Sequence, residues 1–478
     1  MALIVYNTLS RSDEEFRPMN GKHVNMFVCG LTVYDDAHIG HAKTFISFDI
    51  IVKWLRHIGY DVKYIQNITD VDDKIINRAK EAGMEASELA GLYEKRFLED
   101  MDALGVRKDV DDYPRSHDYI DAIREQIQLL IDKGYAYVLE GDVYYDVAKF
   151  KDYTKLSGIK IEELENHRIE PNPDKKNVYD FALWKAAKPG EPSWRIKINA
   201  KGSEIELVGR PGWHIEDTAI TYVNFGPQYD IHGGASELIF PHHTNEIAQA
   251  EGAFGVKPFV KYWVHTGVVN VNGTKMSKSL KNFVTIRDVL KQYDAETMRT
   301  LCASTHYSKE MNYSESLMKD ARKKINYMYA AFSIFYNMRE SKANAEDDVS
   351  IKAKIDSFVK DFEDAMNDNF NTSLALSKLV ILINDLRSFA ETHESINSDV
   401  KKHAISSIKE MAGIFGLLKK ETYKQSIPLE ADMLVKRREE LRKSGNFTEA
   451  DRIRDELKSK YKVSIEDTEY GSVWYPIE

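Results

Sequence analysis

The 478-residue sequence contains only two cysteines, Cys29 and Cys302. Two thiols cannot form a disulfide framework, so we expect a reducing compartment in which each thiol is free for another role. No run approaches the ~18 to 20 continuous apolar residues of a membrane span. The opening residues, MALIVYNTLSRSDEEF, lack the basic start and apolar core of a signal peptide. We therefore expect a cytoplasmic protein with no membrane partner. We also expect it to be a monomer.

The sequence also lacks an excess of positive charge. Its 66 lysines and arginines and 76 aspartates and glutamates give a net charge of -10, which argues against indiscriminate coating of nucleic acid. A nucleic-acid partner that binds to a local basic face is still compatible with this balance. The composition is that of an ordinary globular protein with material for about two to four domains.

The pattern of the sequence changes along the chain. Residues 1–135 and 206–270 alternate apolar, β-rich runs with helical patterns, which predicts an α/β fold of Rossmann type with a parallel sheet. Residues 136–205 combine short strand patterns with polar runs and predict a connective insertion with its own small core, which splits the sheet. Beyond about residue 310, successive helical patterns predict an α-helical bundle. Residues 421–478 predict a small C-terminal domain with a helical hairpin and a short β-hairpin.

The stretch 28–41 reads VCGLTVYDDAHIGH and places Cys29 shortly before two histidines, His38 and His41. Its pattern predicts a strand, a glycine-bearing loop and a helix that begins near Ile39. This layout aims free backbone N–H groups and the positive end of a helix at phosphate. Two histidines at a helix start are by themselves more often part of a capped surface turn than of a functional site. A second motif is therefore needed.

That second motif lies at 269–282 and reads VNVNGTKMSKSLKN. Its Asn272 and Gly273 predict a type I′ hairpin turn, and the loop after the turn is rich in lysine. Such a loop on its own is ordinarily a solvated surface segment. HIGH and KMSKS together, in this order around a split α/β sheet, resemble the signature of class I aminoacyl-tRNA synthetases.

Further stretches extend the resemblance over nearly the whole chain. In matching order, several segments are similar to the cysteinyl-tRNA synthetase family: FVCGLTVYDDAHIGHA, YIQNITDVDDKI, GRPGWHIEDTAI, DIHGGASELIFPHHTNEIAQ, and EADRIRDEL with EDTEYGSVW. The resemblance implies that the α/β domain is catalytic. It also implies ATP-dependent activation of L-cysteine to cysteinyl adenylate and transfer of the cysteinyl group to tRNA(Cys).

The resemblance assigns the nucleotide chemistry to the two motifs. The implied catalytic residues are His38, His41, Lys275 and Lys278. The histidines would bind the ATP phosphates, and the lysines would stabilise the α-phosphate as pyrophosphate leaves, with Mg²⁺ accompanying ATP. Such chemistry depends mainly on positioning and charge neutralisation. The implied ATP-binding residues are Gly40, His41, Glu237 and Lys278, of which Glu237 replaces the family's aspartate.

The resemblance also implies a zinc site that binds the thiolate of the substrate. Its ligands carry over to Cys29, His242 and Glu246, and Asp217 stands where the family has a second cysteine. Carboxylate oxygens bind zinc at about 2.0 to 2.2 Å, so a site with one sulfur, one nitrogen and two oxygens is expected to hold zinc more weakly than a two-cysteine site. The alternative is that Asp217 only caps or hydrogen-bonds and that no metal binds.

Further residues are implied around the substrate. The substrate-binding residues are Thr32, Thr69, Trp213 and His214. For Trp213, a structural aromatic contact explains the residue equally well. The acids of ITDVDDK are expected to cap the following helix rather than to bind magnesium. The other departures from the family pattern are Leu31 and Thr244.

The resemblance finally implies roles for the C-terminal half. Residues 271–325 would form the KMSKS loop and a region that contacts the tRNA stem, residues 326–420 a tRNA-binding helical bundle, and residues 421–478 an anticodon-binding region. The last contains a basic cluster that a solvated helix face would also explain, namely Lys436, Arg437, Arg438, Arg442 and Lys443. Two alternatives stay open: a paralogous ligase that joins cysteine to a small amine, and a non-catalytic RNA-binding descendant.

Overall fold

The structure, a computed structural model, describes residues 2–159, 172–277, 280, 282–342, 346–421, 428–468 and 471–476. Its helices are α1 (Ile39–His57), α2 (Asp73–Ala82), α3 (Ala86–Leu104), α4 (Ile120–Asp132), α5 (Ile215–Phe225), α6 (Thr244–Phe254), α7 (Ile286–Leu290), α8 (Ala295–Ala303), α9 (Glu315–Tyr336), α10 (Glu346–Asn367), α11 (Thr372–Thr392), α12 (Ser398–Phe415), α13 (Leu429–Lys443) and α14 (Phe447–Tyr461).

The strands fall into six sheets. They are β1 (Ile4–Asn7), β2 (Ser12–Glu15), β3 (His23–Thr32), β4 (Asp61–Thr69), β5 (Ala136–Leu139), β6 (Asp142–Tyr145), β7 (Phe181–Ala186), β8 (Trp194–Ala200), β9 (Ser203–Pro211), β10 (Tyr229–Ala235), β11 (Val260–Thr266), β12 (Val269–Val271), β13 (Thr274–Lys275), β14 (Met311–Tyr313), β15 (Arg339–Ser341), β16 (Ser395–Asn397), β17 (Val463–Thr468) and β18 (Gly471–Pro476).

A four-stranded parallel sheet with the order β11-β10-β3-β4 positions the site. Most residues of its strands are buried, as expected of strands that are covered on both faces. Helix α1 connects β3 to β4, and α6 connects β10 to β11. The predicted α/β fold of Rossmann type is therefore confirmed. In such sheets ligands bind at the carboxyl ends of the strands, where the strand order reverses, which is here between β3 and β10.

The chain between β4 and β10 contains a second, antiparallel sheet with the order β5-β6-β7-β9-β8. The core beneath it is not its own, contrary to the prediction of a separate small core. Trp184 and Ile196 of this sheet share one buried cluster with Phe27 and Ile65 of the parallel sheet. The apolar face of this sheet therefore packs against the larger domain.

A small sheet with the order β13-β12-β14 carries the KMSKS motif. Strands β12 and β13 are joined by Asn272 and Gly273, whose φ angles are 51° and 76°. Two successive positive φ angles define the type I′ turn, so the predicted hairpin is confirmed. The first residues after the hairpin, Met276 and Ser277, are also described.

The C-terminal half is helical, as predicted. Helices α9 to α12 pack around buried side chains such as Phe332, Phe362 and Phe415. Helices α13 and α14 and the β17–β18 hairpin enclose a second core that includes Leu457 and Trp474. The predicted helical pair and terminal hairpin are thus confirmed. Among the described residues, no helix combines the length and the apolar character that crossing a membrane would require.

Candidate active site and metal centre

The HIGH motif forms the first turn of α1. The Nδ1 atom of His38 accepts a hydrogen bond from the backbone N–H of Gly40 (3.1 Å), and the Nδ1 atom of His41 accepts one from the backbone N–H of His38 (3.2 Å). The two rings stack with centroids 3.7 Å apart. A Cβ at Gly40 would lie 2.9 Å from the His38 ring, so a larger residue here would displace that ring.

The protonation state of His41 follows from its surroundings. Burial, together with the charges of His38 and Lys74, holds the pKa of His41 well below its ordinary value. The ring is therefore neutral at pH 7. Because Nδ1 accepts a hydrogen bond, the proton lies on Nε2, which is the atom that can donate to an anionic ligand.

Backbone hydrogen bonds join the HIGH turn to the far side of the KMSKS loop. The N–H of Ile39 donates to the carbonyl of Val284 (3.1 Å), and the N–H of Ile286 donates to the carbonyl of Ala37 (2.9 Å). The structure thus brings the two motifs together although they are far apart in sequence. Lys278 lies outside the described residues.

Lys275 and Glu237 form an ion pair with 2.6 Å between Nζ and Oε1. Glu237 follows β10, and Lys275 ends β13, so the pair connects the end of the parallel sheet to the KMSKS hairpin. Two of the residues implied for ATP chemistry are therefore neighbours. Their side chains are largely exposed, which leaves both accessible to a nucleotide.

Three of the implied metal ligands converge at the carboxyl end of β3. The Nε2 atom of His242 lies 3.6 Å from the Sγ atom of Cys29 and 3.0 Å from Oδ2 of Asp217. The ligand atoms of these residues all lie within 4.8 Å of one another. Glu246 is next to them, with Oε1 3.2 Å from the same His242 nitrogen. It also belongs to an adjoining group with His232 and His243.

The charge of this cluster favours a divalent cation. Burial and the neighbouring carboxylates raise the pKa values of the Cys29 thiol and of Glu216 and Glu246 well above their ordinary values. Both carboxyl oxygens of Glu246 are buried and have no hydrogen-bond partner among the residues that the structure describes. A cation that replaces the protons would satisfy these oxygens and compensate the charge of the deprotonated groups. A set of one thiolate, one imidazole and two carboxylates fits a zinc-type site.

Asp217 hydrogen-bonds to Asn67 and also faces His242, so its position is compatible with either of the roles that the sequence left open. Its Oδ1 accepts a hydrogen bond of 2.6 Å from Nδ2 of Asn67, while its Oδ2 faces His242. Asn67 also accepts a hydrogen bond of 2.7 Å from the backbone N–H of Gly30, beside Cys29. The buried amide of Asn67 therefore orients the carboxylate of Asp217 and anchors the part of β3 that carries the Cys29 thiol.

Sequence reasoning missed three further histidines around the cluster. His232 lies on β10, His265 on β11, and His243 precedes α6. Nδ1 of His243 and Nε2 of His265 are 2.8 Å apart, and burial lowers the pKa of all three rings. All three are neutral; His232 and His243 lie 3.6 and 4.0 Å from the carboxylate of Glu246, and His265 contacts His243. His232 and His243 stand in the family-like segment DIHGGASELIFPHHTNEIAQ, but no role was assigned to them, and His265 follows an apolar run, as core histidines do.

The implied substrate residues border the same cluster. Nδ1 of His214 lies 2.8 Å from Nδ1 of His242, and the Trp213 ring packs against the His242 ring with centroids 4.5 Å apart. The hydroxyl of Thr69 donates to the carboxyl group of Glu216. Thr32 pairs with Thr69 across β3 and β4. All four therefore lie along the strand ends beside the cluster, although Trp213 contacts another aromatic ring as well.

The acids of ITDVDDK have structural partners. Asp72 caps α2 by accepting a hydrogen bond of 2.8 Å from the backbone N–H of Lys74. Asp70 contacts the His117 ring, and Asp73 pairs with Lys185 and Arg210. The predicted helix cap is confirmed for Asp72.

The basic cluster of the tail divides into two kinds of residue. Arg438 is buried and makes two hydrogen bonds of 2.9 Å to the carboxylate of Asp467 on β17. It therefore joins α13 to the hairpin. Arg437, in contrast, has 63% of its side chain exposed. Only the second kind is accessible to a nucleic acid.

Comparison with known proteins identifies the family. The model "tRNA synthetases class I (C) catalytic domain" matches residues 15–323, and the model "DALR domain" matches residues 361–419. The chain belongs to the cysteinyl-tRNA synthetase family. The first match includes the HIGH and KMSKS motifs and the cluster of Cys29, Asp217 and His242, and the second lies within the helical bundle.

Full-length relatives carry the same family name. The chain is 44% identical to a protein named "Cysteine--tRNA ligase" from Thermococcus onnurineus, with 99% of each chain covered. It is 41% identical to one of that name from Thermodesulfovibrio yellowstonii, covering 98% of this chain and 99% of the relative. For the relative of the same name from Azotobacter vinelandii, the identity is 43% with 99% of each covered.

Solved structures share the fold at low sequence identity. Methionyl-tRNA synthetase of Mycobacterium tuberculosis in complex with methionyl-adenylate is 14% identical, with a TM-score of 0.59 over 82% of this chain and 89% of that chain. The LeuRS of Agrobacterium radiobacter, in a ternary complex, is 10% identical with a TM-score of 0.58 over 84% and 86%. These similarities establish the class I synthetase fold.

Proposed function

We propose that this chain is a cysteine–tRNA ligase, which activates L-cysteine with ATP and transfers the cysteinyl group to tRNA(Cys). The observation that carries the proposal is the buried group of Cys29, Asp217 and His242 at the carboxyl end of the sheet, next to the HIGH turn. A thiolate, an imidazole and carboxylates together are suited to a metal of intermediate softness such as zinc, whose affinity for sulfur distinguishes a thiol from a hydroxyl.

Adenylate formation depends on the two motif regions. The Nε2–H group of the neutral His41, with the N-terminus of α1, is suited to donate to the phosphates of ATP. His38 fixes the orientation of that ring through the hydrogen bond from its backbone N–H to Nδ1 of His41. Lys275 and Lys278 would neutralise charge at the α-phosphate as pyrophosphate leaves, and Glu237 would hold Lys275 in place through its ion pair. Mg²⁺ accompanies ATP, and no side chain acts as a covalent nucleophile.

We propose that the metal is zinc and that Cys29, Asp217, His242 and Glu246 hold it. Zinc in this position supplies a soft Lewis acid with affinity for the substrate thiolate, which an apolar pocket would distinguish poorly from the hydroxyl of serine. The residues around the metal ligands fix their orientation. Asn67 orients Asp217, His214 contacts the second ring nitrogen of His242, and the Trp213 ring covers the pocket.

The remaining regions are proposed to bind tRNA. Residues 271–325 would contact the acceptor stem, residues 326–420 would bind the tRNA body, and residues 421–478 would read the anticodon. Exposed basic residues of α13 such as Arg437 are suited to contacts with phosphate. We propose that the protein acts as a monomer in the cytoplasm.

The proposal is tested by cysteine-dependent exchange of pyrophosphate into ATP, followed by charging of purified tRNA(Cys). We expect both activities, with cysteine strongly preferred to serine. Exchange without charging, combined with transfer to an added amino sugar, would indicate a ligase that acts on a small amine. Absence of both activities in a folded, zinc-loaded preparation would indicate a non-catalytic RNA-binding protein.

A further inference from the structure

Lys43 is a fully buried lysine on α1, two residues after the HIGH motif. Its side chain has no exposed surface. Its ammonium group donates a hydrogen bond of 3.1 Å to the carbonyl of Gly267 and another to the carbonyl of Lys309. Among the described residues, no carboxylate forms an ion pair with it. Burial lowers the pKa of Lys43 to about 8, which still leaves the group mostly charged at pH 7.

The two carbonyls belong to the segments from which the KMSKS hairpin extends. Gly267 connects β11 to β12, the first strand of the hairpin, and Lys309 leads into β14, which pairs with β12. Strand β14 also contacts the turn of the hairpin, because the side chain of Asn312 accepts a hydrogen bond of 2.8 Å from the backbone N–H of Gly273. The base of the hairpin therefore lies directly against the ammonium group.

The backbones of these two segments touch at this point. A Cβ at Gly267 would lie 2.3 Å from the carbonyl carbon and oxygen of Lys309. The carbonyl oxygens of Gly267 and Lys309 both point toward the Lys43 ammonium. They would repel each other if no hydrogen-bond donor lay between them. The ammonium group of Lys43 has three N–H donors and can donate to both carbonyls. These hydrogen bonds also offset the cost of burying its charge.

We propose that Lys43 is a positioning residue that fixes the KMSKS hairpin relative to the HIGH helix. The hydrogen bonds of Lys43 fix the base of the hairpin against α1. The backbone hydrogen bonds of Ile39 and Ile286 fix the far side of the KMSKS loop. The two motifs that act on ATP are then fixed at both ends. This inference deepens the proposed function and rests on it for its effect on catalysis.

The test combines amide hydrogen exchange with enzyme kinetics on the full chain. We expect Lys43→Met to speed exchange of the hairpin amides between residues 269 and 275 by about ten- to a hundredfold, because charged hydrogen bonds at its base are lost. The melting temperature should also fall, because two buried carbonyls lose their hydrogen-bond donor. The kcat of cysteine-dependent pyrophosphate exchange should fall by about ten- to a hundredfold, with the KM for ATP changed by less than about threefold. Lys43→Arg, which keeps the donors, should restore most of both properties.

Lys53→Met is the matched control. Lys53 lies on the same helix, about 15 Å further along, and pairs with Asp49 rather than with the hairpin. This variant should leave exchange of the hairpin amides unchanged. Equal loosening of the hairpin by Lys53→Met, or full protection in a folded Lys43→Met, would overturn the proposal.

Gly267→Ala perturbs the same contact from the other side. Its added Cβ pushes against Lys309, so the same amides should exchange faster, and unchanged protection in this variant would also contradict the inference. Hydrogen exchange is measured without substrate, so it tests Lys43 independently of catalysis. Lack of cysteine-dependent exchange in the unsubstituted protein would contradict the proposed function alone.

Discussion

Asn67→Ala is expected to weaken metal binding without touching a metal ligand. The amide of Asn67 donates a hydrogen bond of 2.6 Å to Oδ1 of Asp217 and accepts one of 2.7 Å from the backbone N–H of Gly30. Removal of the Asn67 amide frees the side chain of Asp217 to rotate and loosens β3 at Gly30, next to Cys29. Both effects reach the proposed ligands, one through the carboxylate and the other through the thiol.

The magnitude follows from these two hydrogen bonds. A bond to a charged group contributes about 1.5–3 kcal/mol and a neutral one about 1 kcal/mol, so we expect the variant to lose about 2–4 kcal/mol of unfolding free energy. Loss of a residue that orients a metal ligand typically costs about 10–100-fold in metal affinity. We expect the zinc dissociation constant of Asn67→Ala to rise by this factor.

Competition with a chromophoric chelator measures the zinc affinity, and thermal unfolding measures the stability. Gln66→Met is the control, because Gln66 is the adjacent residue on β4 and points to the opposite face. Its buried amide has no hydrogen-bond partner in the described part of the chain. It should leave zinc affinity unchanged and stability unchanged or higher. A folded Asn67→Ala protein that binds zinc as tightly as the unsubstituted chain would refute this reasoning.

Three further predictions concern the ligands, the KMSKS loop and the tail. Asp217→Cys should raise zinc affinity and resist chelators, because a second thiolate is a softer ligand; equal loss of zinc to a chelator would contradict this. Lys278→Ala should lower adenylate formation by about 100-fold or more with ATP affinity nearly intact, whereas equal losses in both would argue against a role confined to the transition state. Arg437→Glu should reduce tRNA charging in a salt-dependent manner, whereas Arg438→Glu should lower the melting temperature because it breaks the buried pair with Asp467. Charging by Arg437→Glu that matches the unsubstituted chain at all salt concentrations would contradict an RNA contact.

Local patterns in the sequence were sufficient for much of the fold. The start of α1 at Ile39 and the turn at Asn272 and Gly273 depend on neighbouring residues, and both were predicted correctly. The shared core beneath the second sheet was not predicted, because periodicity identifies an apolar face but not the surface that covers it. Arg438 illustrates the same limit, since a polar helix gives no signal for which arginine becomes buried.

The site was less accessible to sequence reasoning. Cys29 and His242 are 213 residues apart, and no local spacing relates them, so their proximity was expected only from the family resemblance. The resemblance assigned no role to His232, His243 or His265, and the sequence alone could not distinguish them from core residues. Cys302, the other free thiol, is buried in α8, where it packs as a small apolar side chain.

Zinc content measured together with cysteine activation tests the central claim most directly. Elemental analysis and cysteine-dependent pyrophosphate exchange would be performed on the same preparation as purified, after removal of metal by a chelator, and after zinc is restored. We predict one zinc per chain in the protein as purified. Removal of the zinc should abolish cysteine activation, and restored zinc should recover the activity in proportion to the metal bound. Undiminished cysteine activation in protein without stoichiometric metal would contradict this prediction.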